Sequence, residues 1–245
     1  MKLARLSDGP EIFFSLQGEG KNAGAPSVFV RTSRCNLYCT WCDTPYTWNW
    51  SGTSFAHDGE QKFDPREQTI ELEVPAVAAW VRRWPCRRLV LTGGEPLLQA
   101  HDCAALVRAL RKGEPRQAVE IETNGTLVPP AELDAVVDQY TVSAKLENSG
   151  VERSLRLRQE ALTFFAASPK SVFKFVVAGG SDVTQVGDLV RQHGVDPDRV
   201  YLMPRASSAE ALVQLSPEVA EVCLAHGYRF SDRLHIHLFG NRPGV

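Results

Sequence analysis

Short β-branched, apolar runs recur along this chain with amphipathic segments between them. That alternation limits the folds open to it. The runs are 28–32, 88–92 (RLVLT, before Gly93-Gly94), 118–123 (AVEIET, before Asn124-Gly125), 141–146, 172–177 (VFKFVV, shortly before Gly179-Gly180), 200–203 and 234–239. Runs of this kind, several of them stopping at Gly or Asn, predict strands. Segments 75–84, 102–111, 130–139, 155–166, 183–193 and 209–225 carry apolar residues at helical spacing, the last broken at Pro217. Strand and helix alternating at this pitch predict an α/β fold with a parallel sheet. No linker-like stretch divides the 245 residues, so one domain over 1–245 is expected. A full eight-unit βα barrel takes about 250 residues. Here 44–68, polar and rich in Trp, Gly and Asp, has no evident βα unit. An incomplete (β/α)6-type barrel of about six strands, with some helices reduced, fits better.

Charge narrows the functional classes. Lys plus Arg number 27 and Asp plus Glu 29, for a formal net charge of −2. That argues against a nucleic-acid partner held by phosphate neutralisation. No apolar run approaches the roughly 20 residues of a membrane span. The start, Met1-Lys2-Leu3-Ala4-Arg5, continues into polar residues rather than the apolar core of a signal peptide. A cytoplasmic protein that touches neither membrane nor nucleic acid is expected.

Of six cysteines, Cys35, Cys39 and Cys42 share one short stretch, while Cys86, Cys103 and Cys223 are scattered. Three thiolates on one tight loop, Cys35-Asn36-Leu37-Tyr38-Cys39-Thr40-Trp41-Cys42, can ligate one compact inorganic centre. Structural zinc takes four ligands, usually in two separated pairs, and no second pair exists. Three ligands on a cubane leave one iron open to a substrate. Zinc completed by His57, or cysteines merely packed in a loop, are the competing readings. The pair Gly93-Gly94 before Glu95-Pro96 lets backbone approach a ligand closely. His235 and His237 alternate with apolar residues on the predicted last strand, as a metal pair or as polar packing. Trp48 and Trp50 suit a stacked ligand, or a pin for the long loop, or a subunit contact.

The C-x3-C-x2-C loop with Trp41 before its last cysteine, followed one βα unit later by Gly93-Gly94-Glu95, resembles the radical S-adenosylmethionine superfamily. A narrower resemblance covers most of the chain. Phe14-Ser15-Leu16-Gln17-Gly18-Glu19-Gly20, Phe29-Val30-Arg31, Trp41-Cys42-Asp43-Thr44, Glu122-Thr123-Asn124-Gly125-Thr126, Ser143-Ala144-Lys145, Lys174-Phe175-Val176-Val177, Leu202-Met203-Pro204 and the ending from Leu238 to Val245 resemble the 7-carboxy-7-deazaguanine synthase family. The likeness is loose at 47–67 and 150–171.

The resemblance implies a [4Fe–4S] cluster, S-adenosylmethionine and Mg²⁺ as cofactors. It implies conversion of 6-carboxy-5,6,7,8-tetrahydropterin to 7-carboxy-7-deazaguanine with loss of ammonia, on the route to queuosine. A deoxyadenosyl radical would take the hydrogen from C6 of the pterin, and S-adenosylmethionine would be re-formed. Cys35, Cys39 and Cys42 would hold the cluster and Thr44 the Mg²⁺. Trp41, Cys42, Asp43, Gly94, Ser143, Ala144 and Lys145 would contact S-adenosylmethionine. Lys145 would pair with its carboxylate, unless it forms a structural ion pair. Leu16, Gln17, Gly18, Glu19, Arg31 and Thr92 would bind the pterin. Arg31 would fork onto the substrate carboxylate, unless it is a sheet-edge charge. No protein group is expected to act as the catalyst itself. A homodimer and a flavodoxin-like or ferredoxin-like electron donor complete the expectation. Arg242-Pro243-Gly244-Val245 would close over the substrate. Two alternatives stay open: a glycyl-radical activase of the same superfamily, and a non-catalytic iron–sulfur or zinc protein.

Overall fold

The computed structural model describes residues 1–112 and 117–245. Its strands are β1 (Lys2–Leu6), β2 (Gly9–Pro10), β3 (Ile12–Leu16), β4 (Pro26–Thr32), β5 (Thr69–Glu71), β6 (Arg88–Gly93), β7 (Ala118–Thr123), β8 (Gln139–Val142), β9 (Ser171–Val177), β10 (Val200–Pro204) and β11 (Arg229–Phe230). Among the described residues they form one sheet, in the order β11-β10-β9-β8-β7-β6-β4-β1-β2, with β3 on β4 and β5 on β1. From β4 to β11 every pairing is parallel. The sheet does not close on itself, so the barrel is open. The N-terminal β1, β2, β3 and β5 pair antiparallel and extend the sheet beyond β4. The sequence pattern predicts no strand in β1, β2, β3 or β5, whose runs are short and flanked by turns.

Alternation along each parallel strand sorts side chains between two faces. Leu89 and Leu91 of β6, Val119 and Ile121 of β7, and Phe173, Phe175 and Val177 of β9 enter the large core beneath the helices. The intervening Thr92, Glu122, Lys174 and Val176 line a cavity on the other face. Helix Ala100–Arg111 shows how the outer layer forms. Cys103, Ala104, Leu106, Val107 and Leu110 are buried along one side, Asp102 is in its first turn, and Arg108 and Arg111 are in its last. Those charges complement the helix dipole. The scattered Cys103 and Cys223 are simply buried apolar groups here.

Several boundaries differ from the sequence reading. Segment 130–139 yields only Ala131–Asp134, and 155–166 is split into Arg153–Arg156 and Gln159–Ala167. Helix Ala209–His226 runs through Pro217 without a break. Proline removes the bond to the carbonyl four residues back, here Val213. Val213 is 67 % exposed, so water can satisfy that carbonyl.

The predicted last strand is a helix, Leu234–Phe239, ending at Gly240 with φ +73°. Six residues are too few to separate a two-residue from a helical period. Positions two apart on a helix are turned by about 200°. His235 therefore lines the cavity while His237 Nε2 lies 3.2 Å from Asp232 Oδ1 on the outside. The two histidines form no metal pair. The tail beyond this helix follows a helix rather than a strand, and brings Asn241 and Val245 to the cavity wall.

Candidate active site

One cavity of about 700 Å³ opens at the carboxyl ends of the parallel strands. In βα barrels that rim carries the chemistry, because loops leaving each strand converge there. Strands β4, β6, β7, β9 and β10, with the segment after β8, each supply a side chain.

The cysteine loop leaves β4 and crosses this rim. Cys35, Cys39 and Cys42 are free thiols, and all three line the cavity. Leu37 and Val151 pack the loop from behind, together with Cys39. The Leu37 N–H points to Cys35 Sγ at 3.4 Å, the Asn124 amide lies 3.8 Å from the same sulfur, and the Thr44 hydroxyl lies 3.6 Å from Cys42 Sγ. Such donors suit thiolates held to a metal. Burial pushes Cys35 up to about 12, Cys39 up to about 11 and Cys42 up as well, so a metal must displace their protons. Among the described residues no three His, Cys, Asp or Glu groups stand close enough to share a single metal ion. Three thiols from one loop, all lining the cavity, suit a polynuclear cluster, whose ligands sit on different irons. His57 does not join them as a ligand. Its Nε2 lies 2.8 Å from the Cys42 carbonyl, and its ring meets the edge of Trp48. Trp48 is buried against Phe55 and His57, so it pins the loop. Trp50 contributes an isolated bridge to Phe63 in the same loop.

Both glycines of the pair face the chain's own backbone. A Cβ on Gly93 would lie 2.2 Å from the Thr32 carbonyl oxygen, and one on Gly94 would lie 1.9 Å from that of Arg34. Gly93 also has φ +132°. The pair thus admits the first residues of the cysteine loop against the end of β6, and both glycines still line the cavity. Arg34 itself sits at φ +79°, turning the chain into that loop.

On the cofactor side, Trp41 Nε1 donates to the Asn148 carbonyl at 2.9 Å. Lys145 Nζ lies 5.4 Å from the Trp41 ring centroid and donates to Ser143 Oγ at 2.9 Å. Among the described residues Lys145 makes no ion pair, so its charge faces the cavity. The segment 143–145 lies beyond β8, which ends at Val142. Ala144 turns its side chain into the apolar core, leaving only its backbone for a ligand.

Across the cavity the predicted pterin residues meet partners to which the sequence assigns no role in holding the pterin. Arg31 Nε donates to Glu11 Oε1 at 2.7 Å, and Tyr46 donates its hydroxyl to Glu11 Oε2 at 2.9 Å. Glu11 is completely buried, and its charge holds the Arg31 cation against the cost of burial. Arg31 lines the cavity with its two Nη atoms uncommitted among the described residues. Gln17 Nε2 donates to Glu122 Oε1 at 3.1 Å, and Thr92 Oγ1 donates to Glu122 Oε2 at 2.6 Å. Glu19 is clasped by Lys174 and Arg233, and Arg233 also pairs with Asp43. Burial opposes the charge on Glu19, yet Lys174 and Arg233 hold its carboxyl far below the usual range. Leu16 and Gly18 also line the cavity. A Cβ on Gly18 would fall 1.9 Å from His235 Nδ1, so glycine here leaves room for the His235 ring as it is placed.

Two of these partners were within reach of the pattern. Lys174 is the one charge in VFKFVV, and Glu120 and Glu122 alternate in AVEIET. A charge at an inward strand position marks a cavity face. Glu11, Tyr46 and Arg233 carry no such signal.

The fold and the thiol-lined rim define an iron–sulfur radical enzyme. Residues 29–147 match the family model described as the Radical SAM superfamily. A 7-carboxy-7-deazaguanine synthase of Pyrobaculum aerophilum is 39 % identical over 96 % of this chain and 95 % of its own length. One of Rhodopirellula baltica is 36 % identical over 96 % and 87 %. The crystal structure of QueE from Escherichia coli superposes with TM-score 0.67 at 26 % identity, covering 91 % of this chain and 92 % of that one. The chain belongs to the 7-carboxy-7-deazaguanine synthase family within the radical S-adenosylmethionine superfamily. A [4Fe–4S] cluster and S-adenosylmethionine are the cofactors of that superfamily, and the three thiols and the rim fit them. No helix among the described residues is long and apolar enough to cross a membrane.

Proposed function

We propose that this chain converts 6-carboxy-5,6,7,8-tetrahydropterin to 7-carboxy-7-deazaguanine with loss of ammonia, in the queuosine route. The observation that carries the reading is one small cavity with cluster thiols on one wall and buried charges on the other. About 700 Å³ suits a cofactor and a small bicyclic substrate rather than the surface of a protein substrate, which speaks against an activase.

When bound, the cluster and S-adenosylmethionine supply the reducing electron and the hydrogen-abstracting radical. This chain's residues do the rest by binding and orientation. Cys35, Cys39 and Cys42 hold the cluster. Trp41, Cys42, Asp43, Gly94, Ser143, Lys145 and the backbone of Ala144 receive S-adenosylmethionine, with Lys145 toward its carboxylate. Arg31, oriented through Nε by Glu11, offers its Nη pair to the pterin carboxylate. Leu16, Gln17, Gly18, Glu19 and Thr92 contact the pterin itself. Gln17 and Thr92 are set in place by Glu122. Thr44 offers its hydroxyl to Mg²⁺, with substrate and water oxygens completing the shell.

A single domain over 1–245 and a cytoplasmic setting rest on the sequence pattern, which has no linker-like stretch, signal peptide or membrane span; the homodimer and the flavodoxin-like or ferredoxin-like donor rest on the family resemblance. The test is anaerobic reconstitution with iron and sulfide, then S-adenosylmethionine, reductant, Mg²⁺ and the carboxy-tetrahydropterin. A product with the mass of 7-carboxy-7-deazaguanine is expected. Its absence from a fully loaded enzyme would overturn the reading.

A further inference from the structure

Arg233 immediately precedes the C-terminal helix, far in sequence from the other residues of the cavity. Its side chain is only 8 % exposed. Each of its three nitrogens goes to a different segment. Nε donates to Glu19 Oε1 at 2.9 Å, Nη1 to the Ala206 carbonyl at 2.8 Å and Nη2 to Asp43 Oδ2. Glu19 follows β3 on the pterin side. Asp43 directly follows the last cysteine of the cluster loop. Among the described residues Arg233 alone bonds both carboxylates.

The two carboxylates are not equally secured. Lys174 holds the other oxygen of Glu19, so Glu19 stays anchored without Arg233. Asp43 has no second side-chain partner among the described residues. A planar guanidinium fixes the angle between its partners, which a point charge on a flexible stem does not. A shift of Glu19 onto a ligand would therefore be passed to Asp43 through Arg233, and the reverse would hold equally.

We propose that Arg233 is a positioning residue that couples the pterin half of the cavity to the S-adenosylmethionine half, so that each ligand binds more tightly when the other is present. The inference rests on the assignment of the two halves made above. Coupling of this kind is reciprocal and commonly exceeds about fivefold.

The test is an equilibrium one, on iron-loaded protein without reductant, so that nothing turns over. S-adenosylmethionine is titrated with and without saturating 6-carboxypterin, the oxidised and unreactive form of the substrate. The parent is expected to bind S-adenosylmethionine at least about fivefold more tightly with the pterin present. R233Q is expected to keep its iron and bind each ligand alone, with the coupling reduced to less than about twofold. R233K keeps the charge but reaches one carboxylate at a time, and is expected to recover little of the coupling. It carries the test if R233Q loses its cluster. Failure of the parent to bind 6-carboxypterin would undo the site assignment itself. A parent that binds both ligands without coupling, or variants that retain the parent's coupling, would overturn the role of Arg233 alone.

Discussion

The carboxylate of Glu95 accepts the main-chain N–H of Asn124 at 2.7 Å and so ties the end of β6 to the end of β7. It also accepts the Thr123 hydroxyl at 2.9 Å and the Leu97 N–H at 2.9 Å, all in the buried interior. In Gly93-Gly94-Glu95 the glycines serve the cavity rim, and the glutamate serves the fold beneath it. Burial pushes Glu95 up to about 7 from an ordinary value of 4.5, although these bonds favour the ionised form. The unfolded chain releases this proton first, so between those two values the folded state holds one proton more. The contribution of Glu95 to stability therefore falls as pH rises through that window and levels off above it. Glu95→Gln should abolish this component, seen as a smaller drop in melting temperature between pH 5 and roughly 7 than the parent shows. An identical slope in both proteins would remove the assignment.

Gly94→Ala should be destabilising and should strip the cluster. Its Cβ would stand 1.9 Å from the Arg34 carbonyl oxygen, which is backbone and cannot swing aside. Overpacking of this kind costs on the order of 2 kcal/mol or more, and here the displaced segment is the start of the cysteine loop. Iron content after reconstitution and a denaturant midpoint would both fall. Normal iron content in a stable variant would show that the loop tolerates the shift.

Cys35→Ala, Cys39→Ala and Cys42→Ala should each lose the cluster and turnover. Cys86→Ala, Cys103→Ala and Cys223→Ala should retain both. Cys103 is fully buried in the large core, so its loss should cost stability without touching iron. Iron and sulfide counts with the visible spectrum separate the two groups. Full iron loading in the Cys39 variant would contradict the ligand set.

How much of this was legible follows from what each element buries. Strand 118–123 could be bounded to the residue because its apolar positions alternate and Asn124 ends it. The cluster loop was legible because three thiols in eight residues have few other uses. The antiparallel extension was not, since its strands are short, and two-residue β2 has no pattern at all. The segment 234–239 misled because alternating Leu-His-Ile-His also satisfies a helix with one buried position, Ile236. Arg233, Glu11 and Tyr46 stayed hidden because each acts through residues distant in sequence: Arg233 lies 214 positions from Glu19. Ion pairs of that span follow from the folded sheet, and no local spacing announces them.

Arg31→Lys should keep the cluster and S-adenosylmethionine binding but lose most of kcat/KM for the pterin. Lysine can meet Glu11 or a substrate carboxylate, whereas arginine uses Nε for the first and keeps Nη for the second. Truncating such a desolvated contact costs on the order of 2–5 kcal/mol. Steady-state kinetics with iron counts on the same preparations check this. Parental kcat/KM would mean that the substrate carboxylate is held elsewhere.

The central claim is that the cavity brings C6 of the pterin against the radical formed from S-adenosylmethionine. It is tested most directly with substrate carrying deuterium at C6. Incubation under turnover conditions, followed by mass analysis of the recovered S-adenosylmethionine, should find deuterium there, with none remaining at that position in the product. Recovered S-adenosylmethionine free of deuterium, alongside normal product formation, would contradict the account.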